Sequence, residues 1–113
     1  EDEAQFDLAT ALAGSGPGFV YRFIDALTQA GATLGLSPQQ ANGLALAMVD
    51  GAASLAAQSD VSPGELADRV ASPGGMTREG LNVLDADNAL VKLLTHTLKS
   101  TRDRGSVLSS GGA

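Results

Sequence analysis

Ser72-Pro73-Gly74-Gly75-Met76-Thr77 holds the residue types in this chain best suited to chemistry. Proline fixes one dihedral and the two glycines free the next two, so backbone N–H groups can converge on one point. A helix is expected to start at or just after this turn, and its first amides are unpaired and carry partial positive charge. Such amides suit a small anion, a carboxylate for example. Ser72 and Thr77 add a hydroxyl at either end. Read alone, the segment serves equally as a helix-connecting turn or as a ligand site.

The other candidates are weaker. Gly14-Ser15-Gly16-Pro17-Gly18 could be a phosphate loop, but it lacks the lysine of a P-loop and a preceding strand, and on its own it reads as a break between helices. His96, the one histidine, stands between Thr95 and Thr97 opposite a leucine stripe and reads as solvated or hydrogen-bonded rather than catalytic. Asp50, inside an apolar helix, reads as a solvated position or an interface acceptor. Asp60 precedes a helix start and is within conceivable reach of the glycine turn. Arg22 and Arg78 are possible carboxylate clamps, although single surface arginines usually carry no such role. No Ser/His/Asp set, carboxylate pair or metal cluster stands out. The lack of cysteine removes disulfides, thiol chemistry and cysteine-based metal sites.

The elements that must position the turn are helices throughout. At 113 residues the chain is one domain, and 43% hydrophobic but only 4% aromatic content means a core built largely from Ala and Leu, with narrow helices at close approach. A first helix over 5–13 ends at the Gly14–Pro17 break. From Pro17 to about Leu34, Phe19, Val20, Phe23, Ile24, Leu27, Ala30 and Leu34 recur at helical spacing, with Gly35 as the stop. Ser37-Pro38-Gln39-Gln40 is a capping box with proline in the first turn, opening a helix to about Gln58. That helix is apolar on more than one side, since Leu46 and Ala53 lie outside its main stripe, so a second subunit is expected to enclose it. Ser62-Pro63-Gly64-Glu65 repeats the start signal for a short helix to about Ala71. A helix from about Thr77 to Leu84 follows, and Asp85-Ala86-Asp87 breaks it, with Asp87 as cap of the last helix. Lys99, Arg102 and Arg104 are expected near that helix's C-terminal end, opposing its dipole. The expectation is an all-α fold of five or six helices over residues 1–104, with 105–113 a flexible tail.

Charge narrows the partners. Thirteen acidic residues against seven basic give a net charge of −6, which argues against nucleic acid and anionic membranes. No apolar stretch reaches the length of a membrane span, and no signal peptide is visible. Because the chain begins with Glu1, it is expected to be processed or cut from something longer.

Taken together, the two glycine turns carry a resemblance. Phe6-Asp7-x-x-Thr10-Ala11-Leu12-x-Gly14-Ser15-Gly16-Pro17, followed by an aromatic pair, and then Ser72-Pro73-Gly74-Gly75-x-Thr77, resemble the C-terminal domain of pyrroline-5-carboxylate reductases. So do Ala26-Leu27-x-x-Ala30-Gly31-x-x-x-Gly35-Leu36, Gly51-Ala52-Ala53 and Glu65-Leu66-x-x-x-Val70. The similarity runs from about residue 6 to 104. It implies an all-α domain that interlocks with a second copy as a homodimer, with higher homo-oligomers open, following an N-terminal Rossmann domain that binds NADP or NAD and is absent from this chain. The implied reaction reduces 1-pyrroline-5-carboxylate to L-proline in the cytoplasm. By resemblance, Ser72, Pro73, Gly74, Gly75, Met76 and Thr77 hold the substrate carboxylate, with the Thr77 hydroxyl the catalytic contact to the ring nitrogen. Thr10, Gly14, Gly16 and Pro17 would lie near the nicotinamide. No metal is implied, and the fragment alone is expected to be inactive. The family often has Gln-Thr where this chain has Ala47-Met48, and Thr where it has Met76; Asp60 falls at an often acidic position. Two rival readings are a non-catalytic helical dimerisation module and the helical domain of another imine or keto-acid dehydrogenase.

Overall fold

A computed structural model describes residues 2–109. They form six α-helices and one short 3-10 turn, and no strand occurs among the described residues. The chain divides into two compact units, one formed by residues up to Phe19 and from Leu81 onward, the other by Val20–Gly80.

The first unit is built on the packing of α1 (Glu3–Ala13) against α6 (Ala89–Ser109). Asp2 starts α1 by accepting the Gln5 N–H at 2.9 Å, relieving one of the unpaired first-turn amides. Ala11 is buried, and the Ser106 hydroxyl donates to the Asp7 carboxylate at 2.7 Å. This helix therefore does not stop at Gly105: it runs to Ser109, and only residues 110–113 of the expected tail lie outside the described residues. Lys99, Arg102 and Arg104 consequently sit away from its last turn, where Lys99 and Arg102 reach Asp103 instead of end carbonyls. Nor does Asp87 cap it. Asp87 and Asn88 both take left-handed backbone (φ 55 and 58) within the 3-10 turn Ala86–Asn88, a conformation their short polar side chains tolerate.

The second unit holds most of α2 (Gly16–Thr33), all of α3 (Pro38–Gln58) and α4 (Pro63–Arg69), and the start of α5 (Met76–Asp85). Gly35, at φ 129, stops α2 as expected. The Leu36 N–H reaches the Gly31 carbonyl at 3.0 Å and the Gly35 N–H reaches Ala32 at 3.2 Å, the paired bonds of a Schellman ending. Both halves of the Ser37/Gln40 capping box are present, at 3.1 Å each. The Ser62 box is only half made: Ser62 accepts the Glu65 N–H, but the Glu65 carboxylate turns to Arg69 at 3.3 Å. Helices α2 and α3 approach closely through small residues, since a Cβ on Gly31 would lie 3.3 Å from that of Ala41.

Among the described residues, the buried apolar ones are all alanines: Ala11, Ala41, Ala45 and Ala71. The large apolar side chains remain exposed in the single chain, Leu44, Leu46, Met48 and Leu55 of α3 among them. A lone protomer with such a surface has most of its potential core facing water.

Candidate functional site

The loop after α4 is built from its sequence in a chain of local bonds. Buried Ala71 anchors its foot. The Gly75 N–H donates to the Ser72 carbonyl at 3.0 Å, with Pro73 and Gly74 between them. Gly74 has φ 74. Proline at the second position and a glycine of positive φ at the third are the requirements of a type II turn. Gly75 has a different reason to be glycine: a Cβ there would press on the Ser72 carbonyl oxygen at 3.3 Å. The Gly75 carbonyl then accepts the Glu79 N–H at 3.0 Å and opens α5.

This arrangement spends one amide on the turn and leaves the next ones bare. Among the described residues, the N–H groups of Gly74, Met76, Thr77 and Arg78 have no acceptor. The Ser72 and Thr77 hydroxyls are exposed and likewise make no hydrogen bond there. Three of the four bare amides begin a helix, where the dipole adds to their attraction for negative charge. The loop can therefore hold a carboxylate by backbone alone. The side chain of Met76 is 92% exposed and contributes nothing to the turn itself.

The other glycine segment uses its amides. Gly14 and Ser15 both donate to the Thr10 carbonyl, at 2.7 and 3.3 Å, and Gly18 and Phe19 both donate to the Ser15 carbonyl, at 3.0 and 3.4 Å. Only the Gly16 N–H is left, because Pro17 has none. Gly14 is required by close approach, since a Cβ would fall 2.8 Å from the Thr10 carbonyl oxygen. A phosphate cradle is not formed here, as its reading as a helix break anticipates; the Thr10 hydroxyl stays exposed. The two segments belong to different units, Thr10 to Pro17 in the first and Ser72 to Thr77 in the second.

Of the charged candidates, Arg22 pairs within α2 with Asp25 at 3.5 Å. Arg78 reaches back over the glycine turn to Asp68 at 3.0 Å. The sequence alone does not show that partner, because a separation of ten residues signals contact only once the turn reverses the chain. His96, Asp50 and Asp60 are exposed, and Ala47 and Met48 are exposed on α3. Their surroundings in the single chain assign them no task.

Comparison with known proteins decides the family. The profile described as pyrroline-5-carboxylate reductase dimerisation matches residues 3–108. The chain belongs to the pyrroline-5-carboxylate reductase dimerisation family. Among its relatives, the pyrroline-5-carboxylate reductase of Aquifex aeolicus is 51% identical over 74% of this chain and 32% of its own length. That of Pseudomonas aeruginosa is 39% identical over 96% of this chain and 40% of its own. The solved pyrroline-5-carboxylate reductase of Coxiella burnetii superposes with a TM-score of 0.87 at 34% identity, covering 96% of this chain and 40% of that one. A Plasmodium falciparum pyrroline carboxylate reductase, solved with NADP bound, gives 0.84 at 32% identity over 93% and 40%. The chain thus spans 32–40% of the length of these reductases. No helix of the described residues is long and apolar enough to cross a membrane.

Proposed function

We propose that this chain is the dimer-forming and substrate-binding part of a cytoplasmic oxidoreductase that reduces 1-pyrroline-5-carboxylate to L-proline with NADPH or NADH. The observation that carries the reading is the set of bare amides at Gly74, Met76 and Thr77, flanked by two free hydroxyls, in a domain of this family. In this reading the substrate carboxylate accepts from the amides and from the Ser72 hydroxyl, and the Thr77 hydroxyl hydrogen-bonds the ring nitrogen. Hydride transfer is the cofactor's chemistry; what a protein supplies is binding and orientation, so a site without a nucleophile or a metal suffices.

The described residues do not fit the cofactor itself. They contain no strand, hence no strand–glycine-loop–helix unit for a dinucleotide, and the Gly14–Pro17 turn keeps one bare amide. We assign Thr10, Gly14, Gly16 and Pro17 at most to the neighbourhood of the nicotinamide. The exposed leucines of α3 support a homodimer that covers them. In calorimetric titration of the full-length protein with L-proline, we expect binding, and about tenfold weaker binding for Thr77→Ala, the scale of one lost hydrogen bond. No heat, or an affinity indifferent to Thr77, would instead indicate an inert dimerisation module.

A further inference from the structure

Five ion pairs occur among the described residues, and four of them lie within single helices. The fifth joins two. Arg78 Nη2 of α5 donates to Asp68 Oδ1 of α4 at 3.0 Å, and the strand of chain between them is the glycine turn. The Arg78 side chain is 29% exposed and that of Asp68 69%, so the guanidinium is the more enclosed partner. Arg78 is also the third residue of α5, where a cation opposes the helix dipole and is unfavourable when unpaired. Its place there is accounted for by the partner it reaches.

We infer that the Asp68–Arg78 pair is a clasp that positions the carboxylate-binding turn: it fixes the first turn of α5 against the end of α4, and so sets where the Met76 and Thr77 amides stand. Arg78 is a positioning residue here and does not itself hold the anion, because its guanidinium is engaged by Asp68. The inference rests on the carboxylate-binding reading of the turn. It differs from a charge effect in sign. Were Arg78 acting as a bare cation attracting substrate, freeing it from Asp68 would strengthen binding. As a clasp, loss of either member loosens the same turn.

The test is steady-state kinetics of the full-length protein with 1-pyrroline-5-carboxylate, comparing Arg78→Met, Asp68→Asn, the double variant and Arg78→Lys, with Ser72→Ala as a control in the turn. Each single clasp variant should raise KM for 1-pyrroline-5-carboxylate about threefold, within what a partly exposed pair can supply. The double variant should be no worse than either single, and Arg78→Lys should recover part of the loss. KM for the nicotinamide cofactor and the thermal midpoint should stay nearly unchanged, which a general loss of structure would not allow. A lowered KM in Asp68→Asn, or additive effects in the double variant, would overturn the clasp. If Ser72→Ala raises KM while the clasp variants do not, the clasp alone is wrong. If Ser72→Ala also leaves KM unchanged, the carboxylate reading itself fails and the clasp falls with it.

Discussion

Short of proline, which also locks φ, no substitution deletes a residue's own backbone amide, so the turn is best tested through the residues that shape it. Gly74 holds φ 74, where any Cβ is strained by roughly 1–2 kcal/mol. Gly74→Ala is therefore expected to lower the thermal midpoint and to weaken L-proline binding together, as read by melting curves and titration on the same preparations. Met76→Ala should do neither, because that side chain is 92% exposed and only its N–H enters the turn. The contrast matters because the substitution changes the Met76 side chain and leaves its peptide group unaltered. At this scale the sequence was informative. Proline, glycine and a following hydroxyl mark a turn, while its type II form, with positive φ at Gly74 and not at Gly75, is what the structure adds. The Asp68 partner of Arg78 was not legible, since the two stand on successive helices whose relative direction the sequence does not give.

At the level of elements, the start and stop signals were the most legible part of the chain. Ser37, Pro38 and Gln40 close the capping box they predict, and Gly35 supplies the positive φ of the α2 ending. Ser37→Ala should accordingly lower stability by about 1 kcal/mol in chemical denaturation. Two boundaries of α6 fall elsewhere than residue type alone predicts. Gly105 has the residue type of a stop, but a glycine is tolerated inside a helix when neighbouring turns are held, and Ser106 is tied to Asp7. Asp87 has the residue type of a cap yet adopts left-handed backbone, which asparagine and aspartate do with similar ease. Within α6, Asp103 accepts hydrogen bonds from two cations on the preceding turn. Hydrogen bonds from Lys99 and then Arg102 hold its carboxyl below the usual carboxylate range. A lowered folded-state value means stabilisation that is present above the ordinary carboxylate value and lost as pH falls through the folded-state value. Asp103→Asn should slightly lower stability at neutral pH, and the difference from the parent should vanish as pH falls through the folded-state value, which flattens the acid limb.

For the molecule as a whole, the alanine-only core and the exposed leucines set the central energetic question. Each large apolar side chain left in water forgoes about 1.5–3 kcal/mol of burial. On α3, Leu44 and Leu46 are exposed within two residues of each other and so face different sides of the helix, as expected if a second copy wraps it. Leu44→Asp or Leu46→Asp should shift sedimentation of the full-length protein toward monomer at micromolar concentration. Sedimentation unaffected by either change would mean that α3 is covered by something other than a second copy. That α3 is apolar on more than one side was readable from its sequence; the paucity of burial within the single chain was not, because pattern reveals which face is apolar and not what covers it.

The most direct measurement is a crystal structure of the full-length protein with L-proline bound. Its carboxylate should lie within about 2.7–3.2 Å of the Met76 and Thr77 amide nitrogens. A carboxylate held elsewhere, with those amides facing solvent, would contradict the account.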